Sequence, residues 1–302
     1  MHNNKTQDNK KSSNITIIGK PNAGKSTLLN RLIGQKIAIV TPKVQTTRSS
    51  ITGIFTKDNT QLVFIDTPGI FAPHTKLEKA MVRCAWSNVA GADQVIFLID
   101  VTKEFDDKSI EIVNKLKSRG ILPIFVLNKI DRKKSNIEAI EKVITDIIND
   151  ATLYKISALS GKGIDELVEY LQDKATGKEW LYGEDDITNL PMRFLASEIT
   201  REQLFLQLQD ELPYNLTVES EAWENLSDGS VKINQVIIVN KQNYKAMILG
   251  NKGERIKNIG TKSREEITIV LGLKVHLFLF VKVREDWDNN PLSYEYMGLS
   301  IN

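Results

Sequence analysis

Five consecutive residues, Val95-Ile96-Phe97-Leu98-Ile99, carry no polar side chain. A strand with one wet face alternates polar and apolar residues. An unbroken apolar run is buried on both faces, as in parallel sheets covered by helices on either side. The sequence predicts further strands over 15–18, 51–55, 62–65, 124–127 and 154–156, with amphipathic helical patterns between several of them, as over 109–116 and 137–148. That alternation predicts an α/β fold with a mostly parallel central sheet. It stops after Leu171, and the stretch 173–190 mixes Gly, Pro, charge and turn formers in the manner of a linker. Beyond it the order changes. A helix is expected over 192–209, paired strands over 216–223 and 231–239 around the turn Ser227-Asp228-Gly229, helical segments on both sides of 250–253, and an alternating strand over 274–283. This describes a small α+β unit.

A chain of 302 residues has room for two such domains, each with its own core. The expected bounds are a disordered polar tail over 1–13, a first domain over 14–172, the linker over 173–190 and a second domain over 191–302. The tail lacks the apolar core of a signal peptide. Cys84 is the sole cysteine, which excludes an intrachain disulfide, and no run approaches the ~18 apolar residues of a spanning helix. A soluble protein of the reducing cytoplasm is therefore expected. The net charge of +2 is too small to indicate a partner.

Directly after the first strand stands Gly19-Lys20-Pro21-Asn22-Ala23-Gly24-Lys25-Ser26-Thr27, which fits G-x-x-x-x-G-K-[ST] and opens a helix over 28–32. The glycines let backbone N–H groups turn inward around phosphates, and the helix N-terminus favours an anion. Lys25 is expected on the β- and γ-phosphates and the Ser26 hydroxyl on Mg2+. Asp66-Thr67-Pro68-Gly69 follows the strand over 62–65. There Asp66 can hold the magnesium through a water, and the Gly69 N–H can sense a γ-phosphate.

Asn128-Lys129-Ile130-Asp131 follows another core strand, and Ser157-Ala158-Leu159 follows the last one. The Asp131 carboxylate can accept from both the ring N–H and the exocyclic amine of guanine, a donor pair adenine lacks. Asn128 would tie the phosphate loop to the base site, and the Lys129 stem can lie over the purine. Ser157-Ala158 would offer a backbone N–H to the guanine oxygen. Sites of this kind reject the wrong base by roughly 10⁴-fold or more. The four motifs in order, each at the C-terminal end of a strand, point to GTP and GDP as substrate and product.

The polar stretch 41–50 suits a mobile loop whose threonine completes the magnesium shell when GTP is bound. Thr47 is the first choice and Thr46 the second. Lys25, Thr47, Asp66 and Gly69 form the expected catalytic set. Ile70 stands where many GTPases place a water-orienting Gln, and His74 is a weak substitute, so slow intrinsic hydrolysis is expected. Asn22 with Thr46-Thr47-Arg48 is similar to GTPases that use K+ in place of an arginine finger.

In the second domain Gly250-Asn251-Lys252-Gly253 places G-x-x-G between two helical segments. That loop clamps single-stranded RNA in K-homology folds. Between Lys241 and Arg264 there are seven basic residues against one acid, whereas 191–302 as a whole has 13 basic against 15 acidic residues. Such concentration is the footprint of a nucleic acid site. The expected RNA contacts are Gly250, Asn251, Lys252, Gly253, Arg255, Lys257, Lys262 and Arg264. His276, Trp223, Trp287 and Tyr294 read as packing residues.

Taken together, GKPNAGKSTLLNRLIGQKIAIVTPKVQTTR, DTPGI, NKID, SALSG, RFLASEITREQLF, ELPYNLTVE, MILGNKGERIKNIGTKSREEI and VHLFLFVKVREDW resemble the Era family of bacterial ribosome-associated GTPases over about 14–297. Ala23 departs from the valine more usual in that family's phosphate loop. The resemblance implies a type II K-homology (KH) domain that binds the 3′ end of small-subunit ribosomal RNA. It also implies a monomer acting in small-subunit assembly, cytoplasmic, with loose peripheral association with the membrane. The alternative is a GTPase of transfer RNA modification, which shares the Thr-Thr-Arg loop; no modification domain is visible.

Overall fold

The computed structural model describes residues 10–299. They fall into two compact units: 10–34, 50–72 and 82–189 make up the first, and 35–49, 73–81 and 190–299 the second.

The first unit is a six-stranded sheet in the order β2-β3-β1-β4-β5-β6. Its strands are β1 (Lys11–Ile18), β2 (Ile51–Lys57), β3 (Thr60–Asp66), β4 (Gln94–Asp100), β5 (Ile124–Asn128) and β6 (Leu153–Ile156). All pairings are parallel except the β2–β3 hairpin. The apolar run of β4 pairs on both edges and is buried throughout, packing with Phe125, Val113 and Ile144. Helices α1 (Lys25–Ile33), α3 (Asp107–Lys117), α4 (Ile137–Ile147) and α5 (Ile164–Asp173) connect or follow these strands. The helix α2 (Lys76–Ala90) opens with a capping box. Glu78 N–H donates to the Thr75 hydroxyl, and Thr75 N–H donates to the Glu78 carboxylate.

Two segments differ from the sequence expectation. Lys11, Ser12 and Ser13, read as tail, form the start of β1 and pair with Thr60, Gln61 and Leu62. Residues 1–9 of that tail lie outside the described residues. The segment read as a linker packs on the first unit up to Asn189. Ser12 and Gly177 exchange backbone hydrogen bonds, and the fully buried Gln61 accepts from the amides of Leu181 and Tyr182.

The second unit has the sheet order β7-β8-β9, from β7 (Leu216–Asn225), β8 (Val231–Val239) and β9 (Val275–Val283), with β9 parallel to β8. Helix α6 (Met192–Gln207), α7 (Gln242–Leu249) and α8 (Glu254–Leu271) cover one face of it. A short helix, α9 (Pro291–Tyr296), closes the described chain. Trp287 and Tyr294 are buried, as expected of packing residues.

Candidate nucleotide and RNA sites

β1, β3, β5 and β6 run parallel, so 19–26, 66–69, 128–131 and 157–159 all leave the same end of the sheet. Bulk is excluded where the loops meet. A Cβ on Gly19 would lie 2.4 Å from the Leu98 carbonyl oxygen, and one on Gly24 2.4 Å from Asn128 Nδ2. The Asn128 side chain donates to the Ala23 carbonyl (2.8 Å) and accepts from the Ala158 N–H (2.9 Å), tying phosphate loop to base loop as the sequence predicts. Thr67 Oγ1 donates to the Ile17 carbonyl, and Ile70 N–H to the Gly19 carbonyl, which sets the Asp66–Gly69 turn against the phosphate loop.

Ser26 Oγ donates to Asp66 Oδ2 at 2.5 Å. The other carboxylate oxygen, Asp66 Oδ1, is buried without a partner. A hydroxyl and a buried orphan carboxylate oxygen are hard donors of the kind Mg2+ takes, so the residues fit that ion. Burial pushes the Asp66 carboxyl up to about 6, against the opposing pull of Lys25 and Ser26. Burial likewise lowers the pKa of Lys25, with Asp66 opposing. Lys25 Nζ donates to the carbonyls of Gly19 (3.4 Å) and Lys20 (3.3 Å).

At the base end the neighbouring Ser157 hydroxyl holds the Asp131 carboxyl below the usual range. The amides of Ser157 and Ala158 are already spent on the Lys162 carbonyl and on Asn128 Oδ1. Leu159 is the next amide in that loop and is unbonded among the described residues.

Sequence reasoning missed three supporting side chains. Asp100 binds Lys129 Nζ at 2.6 Å, and that ammonium also donates to the Asn22 carbonyl at 2.7 Å. Burial pushes the Asp100 carboxyl up, but hydrogen bonds from Lys129 and Thr102 outweigh it and hold it below its ordinary value. Asp106, which caps α3, binds Lys20 at 2.6 Å. Arg31, in the last turn of α1, donates to the carbonyls of Ala158 and Leu159. The signal available for Asp100 was its place at the C-terminal end of a core strand.

Ile70 is buried in the core of the first unit, so an apolar side chain packs where other GTPases use Gln. Thr46, Thr47 and His74 lie on the segments that belong to the second unit. Thr46 Oγ1 is bonded to Thr41 Oγ1 (2.6 Å) and donates to the Lys43 carbonyl (2.9 Å).

In the second unit Gly250 has φ 73° and ψ −176°, a conformation open to glycine alone, and a Cβ there would lie 2.6 Å from Arg255 Cβ. Lys252 is held left-handed at φ 46°. Asn251, Lys252, Arg255, Lys257, Lys262 and Arg264 are all exposed. Arg255 donates to the Met247 carbonyl, and Lys262 pairs with Glu265 at 3.7 Å. The exposed aromatic rings of the sheet are Phe278 and Phe280, which alternate with inward residues along β9 and were not singled out from sequence.

Comparison with known proteins follows the same division. Residues 14–129 match a family model described as 50S ribosome-binding GTPase, and residues 211–288 match a KH domain model. The chain is 60% identical over 291 residues to GTPase Era of Rickettsia conorii, covering 96% of this chain and 86% of that protein. It is 45% identical over 288 residues to GTPase Era of Brucella suis, covering 95% and 93%. A crystal structure of Era in complex with MgGDPNP and nucleotides 1506–1542 of 16S ribosomal RNA superposes with a TM-score of 0.90 at 36% identity, covering 96% of this chain and 99% of that one. An Aquifex aeolicus Era variant bound to GDP.AlF4− gives the same TM-score and identity, covering 95% and 99%. Near-complete coverage of both units, at identities far above those of fold likeness alone, shows that the chain belongs to the Era family of GTPases, with a P-loop GTPase domain followed by a KH domain.

Proposed function

We propose that this chain is a GTP-hydrolysing switch whose output is binding to the 3′ end of small-subunit ribosomal RNA during small-subunit assembly. One observation carries it: the Asn128 side chain joins the phosphate loop at Ala23 to the loop at Ala158, at the end of the sheet where Asp131 also lies. The RNA half is supported by the exposed basic loop at Gly250 and by the Era complex with 16S ribosomal RNA. The description of the family model names the large subunit, but that model spans only 14–129 and omits the KH domain. The full-length likeness favours the small subunit.

Ser26 and Asp66 would hold Mg2+, with Thr47 completing the shell. Bound there, the ion would supply positive charge that offsets the negative charge developing on the phosphates. Lys25 supplies a cation to the same phosphates from within the protein, and the Gly69 amide faces the γ-phosphate. Leu159, whose amide is unspent, donates to the guanine oxygen. With Ile70 in the core, no side chain next to Gly69 orients water, so catalysis rests on positioning and electrostatics and unassisted turnover is slow. Asn22 and the Thr-Thr-Arg loop support K+ as a further cofactor. Turnover should then be several-fold faster in KCl than in NaCl at equal ionic strength, and equal rates would remove potassium from the mechanism. A cytoplasmic monomer with loose membrane contact follows from the family resemblance. Among the described residues no helix is long and apolar enough to cross a membrane.

The RNA reading is tested at Lys252, which is exposed and has no ion-pair partner among the described residues. Lys252→Asp puts a carboxylate where the phosphate backbone passes. It should weaken binding of a labelled 3′-terminal ribosomal RNA fragment about tenfold or more and leave GTP affinity unchanged. Each phosphate contact on a single strand contributes about −0.7 to the slope of log affinity against log salt, so the variant's slope should be shallower. Unchanged affinity and slope would move the RNA site off this loop.

A further inference from the structure

Within the second unit α8 runs back along β9. Leu249 and Ile256, on either side of the Gly250–Gly253 loop, share one apolar core with Leu279, Val281 and Val283. Ile267 and Leu271 share another with Val275 and Leu277. Between the two, Gly260 brings the helix against the strand, since a Cβ there would lie 3.5 Å from Leu279 Cδ1. The loop therefore stands at the C-terminal end of β9, and the strand leads away from it for nine residues, about 30 Å. β9 is the last strand of its sheet, so its outer edge pairs with no strand among the described residues.

Leu277, Leu279 and Val281 point into the core, which leaves His276, Phe278, Phe280 and Lys282 on the opposite face. A single exposed Phe needs no explanation, but here two stand two residues apart on one face, 48% and 50% exposed. Their partners in register on β8 are Asn234 and Val236, neither of them charged. Beyond Phe278 the edge opens into a cleft of about 510 Å³ lined by Arg264, Thr268, Ile269, Lys274 and His276. The one acid lining it, Glu265, is paired with Lys262. Arg264 and Lys274 are exposed, Lys274 lying 4.0 Å from Asp228. Rings with cations beside them suit a single-stranded polyanion, because every base has a face to stack and every nucleotide a phosphate. A second copy docked through the same edge would instead set Arg264 and Lys274 against their own counterparts.

We propose that the RNA site extends past the Gly250–Gly253 loop along the outer edge of β9, where Phe280 and Phe278 stack successive bases and Arg264 and Lys274 meet phosphates at the far end. This rests on the reading of the second unit as RNA-binding. The loop of a KH fold clamps about four nucleotides, so the extension lengthens the footprint. It also selects unpaired RNA, since a base inside a helix has no free face to offer a ring.

The test uses the full chain and two labelled single-stranded probes from the 3′ end of small-subunit ribosomal RNA, one of about four nucleotides and one of about twelve. Phe278→Leu and Phe280→Leu keep an apolar surface but lose the ring. Each should weaken the long probe about fivefold or more and leave the short probe unchanged. Phe278→Tyr and Phe280→Tyr keep the ring and should bind as the wild type does. Arg264→Ala should make the salt slope of the long probe shallower by about 0.7. Abasic sites in the part of the long probe beyond the loop should erase the difference between the leucine variants and the wild type, which a purely structural role for the rings would not do. Both rings are exposed, so the variants should fold and keep wild-type GTP affinity. Leucine variants that bind the long probe as tightly as the wild type would overturn the extension. Lys252→Asp with both probes unaffected would overturn the RNA reading beneath it. A dimer seen by sedimentation and lost in the leucine variants, with RNA binding intact, would give this edge to a second copy of the chain and overturn the proposal.

Discussion

Lys25→Ala should weaken GTP binding by about 30- to 5,000-fold, because removing one partner of a buried, hydrogen-bonded charge pair costs about 2–5 kcal/mol. In the structure Lys25 is buried, with its ammonium turned to the carbonyls of Gly19 and Lys20. No other lysine of the loop can take its place, since Lys20 is paired with Asp106. The empty protein should tolerate the change. Burial lowers the Lys25 pKa in the folded state, so the unfolded chain binds that proton more tightly. Protonation of this group therefore opposes folding at neutral pH, a cost that fades only as pH rises toward the ordinary lysine value. Alanine removes the cost, and the melting temperature of the nucleotide-free variant should stay close to the wild type. Equilibrium dialysis with labelled GTP reads the affinity. Wild-type binding by a folded variant would end the phosphate-loop assignment.

The sheet and its loops were legible because their causes are local. β4 announces double burial in five residues, and each nucleotide motif follows its strand directly. What stayed hidden depends on partners far along the chain. Ser12 and Ser13 look like tail because they are polar; they are strand because β3 and Gly177 satisfy their backbone. Gln61 looks misplaced in a core strand until Leu181 and Tyr182, about 120 residues on, supply its hydrogen bonds. The loop over 41–50 reads as mobile and polar, yet Lys43 and Arg48 are committed to the end of α6 and to the turn before β7. No periodicity within fifteen residues encodes acceptors that lie more than 150 residues away. The base site shows the same limit at finer scale. The motif Ser157-Ala158-Leu159 locates the loop, but only the packing of Asn128 reveals that the Ala158 amide is already used.

Asp131→Asn should exchange guanine for xanthine preference, with GTP affinity falling about 10²-fold or more and XTP becoming the better ligand. The neighbouring Ser157 hydroxyl holds the Asp131 carboxyl below its usual range, so it stays a carboxylate at neutral pH. Two acceptor oxygens then meet the two donors on one edge of guanine. The amide offers one acceptor and one donor. Against guanine its N–H₂ faces the exocyclic amine, so a buried donor goes unsatisfied and the charge-assisted bonds are lost, about 1.5–3 kcal/mol for each such bond. Against xanthine, which carries an oxygen in place of that amine, the amide donor finds an acceptor and the pairing is restored. The rest of the site should not move. Asn128 remains bonded to Ala23 and Ala158, and Lys129 to Asp100, none of which depend on the Asp131 charge. Magnesium-dependent hydrolysis should therefore survive with XTP as substrate at a rate near that of the wild type with GTP. Competition between labelled GTP and unlabelled XTP measures the exchange. Unchanged preference would show that Asp131 does not read the base, and a loss of both nucleotides would mean that the substitution disturbs the loop rather than its selectivity.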